Sequence, residues 1–193
     1  MRWRLAIVWV MVAGLLSLAS VAQASVSWGN EFQTTLGSGG SGDGQFNGPF
    51  GVAVDVRDGS VYVADRGNDR VQKFTSAGVY VSQFGSTGSG DGQFSSPSGV
   101  TVNPLDGTVY VADAGNNRVQ KFSSAGAYLS QFGSAGSGDG QFNAPLGVAV
   151  DHSDGAVYVT DEGNNRVEKF SSAGAYLSQF GSAGSGNGQF SNP

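Results

Sequence analysis

Acidic and basic side chains recur at a fixed spacing through this chain, and they are the first residues whose chemistry could matter. Each of three aspartates is followed five positions later by an arginine, in the pairs Asp65 and Arg70, Asp113 and Arg118, and Asp161 and Arg166. A catalytic site needs one constellation of groups, so the repetition favours a structural role in turn hydrogen bonds or buried ion pairs. A ring of ligand contacts, one from each copy, is the alternative.

Three further aspartates lie in glycine-rich segments and are candidate calcium ligands. Asp43, Asp91 and Asp139 each stand between two glycines, where carboxylate and backbone carbonyl oxygens could surround a cation. Asn187 replaces the aspartate in the fourth copy, and the chain contains no dense Asp-x-Asp loop. We therefore expect no bound cofactor or metal, and calcium is the alternative that remains open.

Nucleophilic and imidazole chemistry finds little support in the sequence. His152 is the single histidine and stands close to Asp154 in a predicted turn, and the chain contains no cysteine. No serine occupies a Gly-x-Ser-x-Gly motif. The glycine-rich segment 88–92 lacks the helix and the lysine of a phosphate-binding loop. These residues favour a noncatalytic protein over an enzyme.

A period of 48 residues organises most of the chain. The motif Gly-Asp-Gly-Gln-Phe occurs at 42–46, 90–94 and 138–142, and Gly-Asn-Gly-Gln-Phe follows at 186–190. Self-similarity at a fixed period indicates an array of structural repeats. β-branched and aromatic runs separated by Gly, Asp and Asn predict four strands in each period. In the first copy these strands are 51–55, 60–65, 70–74 and 79–84.

The order of these strands is typical of a β-propeller, an all-β fold of four-stranded antiparallel blades. The predicted blades span about 49–84, 97–132 and 145–180. Asp-Gly pairs predict a hairpin between the first two strands of each blade. The first strand is apolar on both faces, at Val52, Ala53 and Val54, and we expect both faces to be buried, whereas the third is predicted to be partly solvated, at Arg70, Gln72 and Lys73.

A lone blade buries too little apolar surface to be stable, so the blades must pack face to face. We expect three phenylalanines of the repeated motif at the seams between blades, namely Phe94, Phe142 and Phe190. A β-solenoid or a string of independent hairpins is the alternative architecture. A solenoid coil of 48 residues with hairpin turns is hard to build, which favours the propeller.

The repeated motifs resemble the NHL repeat. The resemblance lies in Gly-Gln-Phe, Pro-Phe-Gly-Val-Ala-Val-Asp at 49–55, Val-Tyr-Val-Ala-Asp at 61–65 and Asn-Asp-Arg-Val-Gln-Lys-Phe at 68–74, and it recurs three times. It implies a propeller, typically six-bladed, of the kind that binds proteins or RNA. A minority of related propellers are enzymes, which the resemblance also leaves open.

Residues 1–24 have the pattern of a secretory signal peptide. Arg2 and Arg4 precede an apolar stretch, and Ala22-Gln23-Ala24 is a small-x-small cleavage motif. Cleavage predicts an extracellular or periplasmic protein without a later membrane-spanning segment, and retention as an anchor is the alternative. The remaining residues 25–193 carry eight basic against 15 acidic residues, a net charge of −7. This charge disfavours nucleic acid as a partner, because it repels the phosphates.

The phase of the repeats predicts an open ring. Residues 31–36 fall in register with the fourth strand 79–84, and residues 181–193 begin a further repeat that stops before its first strand. About three and a half repeats are fewer than the four to eight blades of propellers. We expect the sequence to be part of a six-bladed ring. Closure by an oligomer, which would require a complete chain, is the alternative.

Specific binding is expected where the copies differ. Loops after the second strand and the connections between blades should emerge together, and two equivalent positions vary there, Arg66, Ala114 and Glu162 at one and Asp69, Asn117 and Asn165 at the other. We expect a secreted, noncatalytic module whose loop rim binds a protein or glycan. A propeller lyase or hydrolase with ligands in missing blades, and a purely structural extracellular repeat, are the alternatives.

Overall fold

Three antiparallel sheets of four strands follow one another along residues 35–193, the part of the chain that this computed structural model describes. The predicted signal peptide 1–24 lies outside these residues, as does most of the predicted outer strand 31–36, of which Thr35 and Leu36 are described and are not in a strand. Within the described part, no helix is long and apolar enough to cross a bilayer.

The strands within each sheet are ordered as they occur in the sequence. A short parallel pair comes first, β1 (Ser38–Gly39) and β2 (Gln45–Phe46). The first sheet contains β3 (Pro49–Val54), β4 (Val61–Asp65), β5 (Arg70–Phe74) and β6 (Tyr80–Phe84). The second contains β7 (Pro97–Val102), β8 (Val109–Asp113), β9 (Arg118–Phe122) and β10 (Tyr128–Phe132). The third contains β11 (Pro145–Val150), β12 (Val157–Asp161), β13 (Arg166–Phe170) and β14 (Tyr176–Phe180).

This sequential antiparallel order is that of a propeller blade and confirms the predicted fold class. The hairpin between β3 and β4 shows how the sequence sets the register. Gly59 has φ +75° at the turn, and its N–H donates to the carbonyl of Asp55 at 2.7 Å. The Asp58 carboxylate accepts the N–H of Ser60 at 2.8 Å. The Asp-Gly pair therefore closes the turn through both of its residues.

The third strand of the first blade is more buried than its polar sequence predicts, and that prediction was wrong. Arg70 and Gln72 are 6% and 0% exposed, whereas Lys73 is half-buried. The carbonyl of Gln45, in the segment that leads into the blade, accepts hydrogen bonds from Arg70 Nη2 at 2.8 Å and from Gln72 Nε2 at 2.6 Å. The polar side chains are buried because this segment folds over them and satisfies them.

The hydrophobic core lies between neighbouring blades. At the first seam, Tyr62 and Val71 of the first blade pack with Val100 and Val109 of the second, together with the fully buried Phe94. The second seam repeats this packing with the equivalent residues, which include Tyr110, Val119, Val157 and Phe142. The blades therefore shield one another's apolar faces.

Tyrosine hydroxyls donate hydrogen bonds across the seams from one blade to the next. The Tyr62 hydroxyl donates to the carbonyl of Ser124 at 2.9 Å, and the Tyr110 hydroxyl donates to the carbonyl of Ser172 at 3.1 Å. Burial between the second and third blades, together with the charge of Asp106, raises the pKa of Tyr110 to about 12. Each seam thus combines an apolar centre with a directed hydrogen bond to the next blade.

The first strand does not bury both faces in the first blade, contrary to expectation. Val52 and Val54 are 66% and 55% exposed, whereas the equivalent Val100 and Val102 in the second blade are buried. The second blade packs between two neighbours, but no sheet within residues 35–193 covers this face of the first blade. The exposure therefore follows from the position of the blade in the array and not from its sequence.

Replacing Phe142 by alanine should lower the free energy of unfolding by about 3–5 kcal/mol, because the change removes a fully buried ring from between two blades and leaves a cavity there. Chemical denaturation of the full chain measures this loss. Phe190→Ala is the matched control, since Phe190 occupies the same repeat position but is only half-buried. We expect it to cost less than half as much. Equal losses for the two variants would contradict the seam as the main site of burial.

Candidate binding rim

A short 3₁₀ turn follows the second strand of every blade, at Arg66–Asn68, Ala114–Asn116 and Glu162–Asn164. Each turn meets the segment that leads into its own blade. In the second blade, Gly115 N–H donates to the carbonyl of Ser95 at 2.9 Å, and Asn116 Nδ2 donates to the carbonyl of Gly88 at 2.9 Å. We define the binding rim as the three turns with the segments 37–48, 85–96 and 133–144.

The aspartate at the end of each second strand lies beneath the rim as the centre of a buried polar cluster. Asp65, Asp113 and Asp161 are fully buried. Each carboxylate accepts a hydrogen bond from the Nε of its arginine, at 2.8 Å from Arg70, 2.8 Å from Arg118 and 3.0 Å from Arg166. The same buried ion pair occurs in all three blades, and this repetition is typical of a structural element.

The arginines also hold the glycine-rich rim segments. Arg118 donates to the carbonyls of Ser89, Gly90 and Gln93 at 2.8–2.9 Å. The Asp113 carboxylate accepts the N–H of Ser95 at 2.8 Å. The buried ion pair of Asp113 and Arg118 therefore forms hydrogen bonds with both the 3₁₀ turn and the segment 85–96, and it holds this part of the rim in place.

The first set of candidate contact residues opens the turns and differs in exposure. Arg66 is exposed, and its guanidinium lies 5.5 Å from the ring centre of Phe50, which is also exposed. Glu162 is half-buried, and Ala114 is only 7% exposed. The small side chain of Ala114 in the central blade therefore offers little surface to a ligand, whereas Arg66 and Glu162 present opposite charges.

The second set of candidate residues closes the turns in the left-handed conformation. Asp69, Asn117 and Asn165 have φ angles of 50°, 54° and 53°, which Asp and Asn tolerate better than most side chains. Each side chain accepts a backbone N–H from the following segment, for example Ala144 N–H to Asn117 Oδ1 at 2.8 Å. These residues therefore lie on the rim and also connect one blade to the next segment.

The two seams differ where these residues meet the rim. At the first seam the Thr87 hydroxyl donates to Asp69 Oδ2 at 2.8 Å. At the second seam Ala135 and Asn117 occupy the equivalent positions and cannot make that bond. A cleft of about 240 Å³ is present there, lined by Asn117, Ala135, Gly136, Ser137, Phe142, Asn143 and Asn164. Within residues 35–193 the Nδ2 of Asn117 has no hydrogen-bond acceptor and is available to a ligand.

The candidate calcium ligands face tyrosines of the fourth strands. Desolvation raises the pKa of Tyr80, Tyr128 and Tyr176, and the neighbouring aspartates Asp43, Asp91 and Asp139 contribute in the same direction. No group of three or more Asp, Glu or His side chains in the described part of the chain is arranged to hold a metal ion. The three aspartates thus lie on separate blades, each beside a tyrosine.

His152 lies where a solvent-facing turn was expected. It is exposed in the hairpin between β11 and β12, next to Asp151, whose carboxylate accepts hydrogen bonds from the N–H and the hydroxyl of Ser153 at 2.9 Å and 2.7 Å. The Ser153 hydrogen bonds hold the pKa of Asp151 below its ordinary value, and a small coulombic contribution from His152 acts in the same direction. This turn is at the opposite end of β12 from the 3₁₀ turn and is not part of the rim.

Sequence reasoning missed two features of the rim. The 3₁₀ turns were not predicted, because three residues are too few to show helical periodicity. The cleft was not predicted either, although the difference between Thr87 and Ala135 is visible when the copies are aligned at 48 residues. The hydrogen bond between Thr87 and Asp69 had to be known before that substitution could be interpreted.

Comparison with known proteins agrees with the repeat pattern. The family model described as NHL repeat matches residues 46–74, 94–122 and 142–170. Among curated proteins, Protein lin-41 of Caenorhabditis elegans is 51% identical over 49 residues, which cover 25% of this chain and 4% of that protein. The chain therefore corresponds to a small part of this relative.

Solved structures share the fold at low sequence identity. An inactive variant of virginiamycin B lyase from Staphylococcus aureus with quinupristin is 19% identical, with a TM-score of 0.53, and the match covers 68% of this chain and 40% of that chain. A nidogen/laminin complex is 22% identical, with a TM-score of 0.52 over 68% of this chain and 48% of that chain. The chain spans less than half the length of these structures, and the likeness shows the fold alone.

Replacing Arg118 by glutamine should lower the free energy of unfolding by about 3–5 kcal/mol, because Asp113 would be left as an unpaired buried charge. Lys169→Gln is the control: Lys169 Nζ lies 3.8 Å from the carboxylate of Asp154, which is 55% exposed, so we expect a much smaller loss. Denaturant titration of both variants provides the comparison. A loss at Arg118 no larger than that at Lys169 would contradict the structural role of the buried pair.

Proposed function

Because this chain belongs to the NHL-repeat family of β-propellers, we propose that it is a secreted, noncatalytic binding module whose rim recognises a protein or glycan ligand. The observation that carries this proposal is the cleft at the second seam. Three of its lining residues, Asn117, Ala135 and Asn143, differ from their equivalents at the first seam, and they are held on a scaffold whose Asp–Arg pairs repeat and are buried. Positions that vary between copies of a repeat are the ones expected to contact a specific ligand.

The size of the cleft limits what it can hold. Pockets for drug-sized molecules usually enclose about 300–1,000 Å³, and this cleft of about 240 Å³ is smaller. It suits one side chain of a partner or one sugar unit, with further contacts from the surrounding rim. The Nδ2 of Asn117 and the amide of Asn143 can donate to either kind of group, whereas Asn164 Nδ2 already donates to Gly136 and Asp161.

The charge of the chain favours some partners over others. Residues 25–193 carry a net charge of −7, and Asp91 and Asp139 are exposed on the rim segments. A partner with a basic surface would be steered toward this rim, whereas polyanions such as nucleic acids would be repelled. We therefore expect affinity for a basic partner to fall as the salt concentration rises.

An enzyme of the lyase type receives no specific support. The likeness to the lyase structure shows a shared fold, and folds of this kind host unrelated functions. The single histidine of this sequence, His152, is exposed in a hairpin away from the rim. A binding role uses the groups that the rim presents and needs no catalytic constellation.

Secretion can be tested by the mature N-terminus. The apolar stretch after Arg4 and the small residues at 22–24 favour cleavage after Ala24. The full chain, expressed in a host with a secretion pathway, should appear outside the cytoplasm with Ser25 as its first residue. Intact Met1 in the exported protein would indicate an anchor, and retention in the cytoplasm would contradict the proposal.

Introducing the Thr87–Asp69 hydrogen bond at the equivalent positions of the second seam tests the cleft. The double variant Ala135→Thr with Asn117→Asp places a hydroxyl and a carboxylate at the second seam. These positions are equivalent to those of Thr87 and Asp69, whose side chains form a hydrogen bond of 2.8 Å at the first seam. Binders are first selected on the full chain from a random displayed peptide library, with a glycan microarray as the second probe. We expect the double variant to lose at least about tenfold in affinity for those binders, since one blocked pocket contact costs about 1.4 kcal/mol or more.

The reciprocal variant is the matched control. Thr87→Ala with Asp69→Asn removes the hydroxyl–carboxylate bond at the first seam and leaves the second seam unchanged. We expect it to retain the affinity of the parent chain, and both variants must show the same far-UV spectrum. Equal affinity in all three proteins, or no binder from either library, would refute the cleft as the binding site.

A further inference from the structure

The third blade differs from the other two at one fully buried position. Gln72 and Gln120 occupy the middle of the third strand in the first two blades, and Glu168 occupies it in the third. All three side chains are 0% exposed. An amide has therefore been exchanged for a carboxyl group of the same shape in a place without solvent.

The two glutamines are fully satisfied by their surroundings. Gln120 Oε1 accepts the N–H of Gly92 at 2.9 Å, and its Nε2 donates to the carbonyl of Gln93 at 2.6 Å and to Asp113 Oδ2 at 3.1 Å. Gln72 makes the same three bonds at 2.9, 2.6 and 3.2 Å. The site thus offers one donor on one side and two acceptors on the other.

Glu168 matches only half of this site. Its Oε1 accepts the N–H of Gly140 at 3.3 Å and lies 2.9 Å from Arg166 Nη2. Its Oε2 is buried without a hydrogen-bond partner within the described residues. By the 48-residue equivalence, Oε2 takes the place of the amide nitrogen and faces the carbonyl of Gln141 and the carboxylate of Asp161.

A proton resolves this mismatch. An ionised carboxylate only accepts hydrogen bonds, so it would set an oxygen against two other acceptors, whereas a protonated carboxyl group donates one bond. A cation has too little space, because the equivalent contact to the carbonyl is a hydrogen bond of 2.6 Å in both other blades. Calcium would need about 2.3–2.6 Å to each oxygen it joins.

The charges that face Glu168 come from all the elements packed around it. Arg166 on the same strand favours the ionised form, whereas Asp161 on β12 and Asp139 on segment 133–144 disfavour it. Tyr176 on β14 is neutral near pH 7, and desolvation, with Asp139 and Glu168 also contributing, raises its pKa. Desolvation is the largest effect on Glu168, and it raises the pKa to about 7.

We propose that Glu168 is a proton-binding site of the third blade: its buried carboxyl group donates a hydrogen bond toward Gln141 and Asp161, and loss of this proton loosens segment 133–144. The same segment lines the cleft at the second seam through Gly136 and Ser137. Protonation of Glu168 therefore controls how firmly one wall of the cleft is held. The proton site itself can be tested without any ligand.

The sign of the pH dependence follows from the two states of the chain. An unfolded glutamate has a pKa near 4.5, and the folded value is about 7, so the folded chain binds this proton more tightly. The contribution is fully present below about pH 4.5 and is lost as the pH rises through about 7. Stability should therefore fall between pH 5.5 and pH 8, by on the order of 30-fold in the unfolding equilibrium constant.

The test compares the full chain with Glu168→Gln, which restores the amide of the other two blades. Unfolding is measured at pH 5.5 and pH 8. We expect the variant to lose the 30-fold difference and to be the more stable protein at pH 8. The difference between the two proteins cancels every titration that they share. The reverse change Gln120→Glu should create a second proton site and increase the pH dependence.

Two measurements keep the test decisive if Gln120→Glu does not fold. The ¹³C shift of the Glu168 carboxyl group should titrate near pH 7, and a midpoint near 4.5 would overturn the proposal. Hydrogen exchange of segment 133–144 should accelerate from pH 5.5 to pH 8 after correction for the intrinsic rate, whereas the equivalent segment 85–96 should not. Equal behaviour of the two segments, or an unchanged pH dependence in Glu168→Gln, would also refute it.

Discussion

One buried carboxylate in each blade organises the polar half of this structure. In the second blade, Asp113 accepts hydrogen bonds from Ser95 in the rim segment, Asn116 in the 3₁₀ turn, and Arg118 and Gln120 in the third strand. Desolvating a charge costs several kcal/mol unless it is paired and hydrogen-bonded. The cost is offset only when all three segments are in place, so the rim forms together with the blade and not as an addition to it.

This constraint explains how a glycine-rich rim can be ordered. Gly88 and Gly92 have φ angles of 151° and 73°, which let the backbone turn its carbonyl and N–H groups toward the blade. There the amide of Asn116 bonds the carbonyl of Gly88, and the Oε1 of Gln120 accepts the N–H of Gly92. A rim ordered before binding loses less conformational entropy when a ligand arrives.

The part of the fold that depends on local pattern could be predicted from the sequence. Strand bounds of the first blade agree with prediction to within two residues, because alternation and Asp-Gly turns act over a few residues. The burial of Gln72 could not be predicted, because a segment 27 residues earlier covers it. The exposure of Val52 depends on which blades are adjacent, and the cleft depends on a hydroxyl that Ala135 lacks. These features depend on contacts between segments that are distant in sequence, so the sequence of a single repeat does not predict them.

Because the copies are nearly identical, each substitution between them can be interpreted against the equivalent residues. The effect of a substitution depends on whether the side chain is buried. The change from Arg66 to Glu162 alters only what the surface presents, whereas the change from Gln120 to Glu168 alters what the interior can bind. The departures at Ala135 and Glu168 act on the same segment, 133–144. A ligand that orders this segment must also favour the protonated form of Glu168, because coupling between two binding equilibria is reciprocal. The recognition proposed at the second seam and the proton binding proposed inside the third blade would therefore be two aspects of one conformational equilibrium.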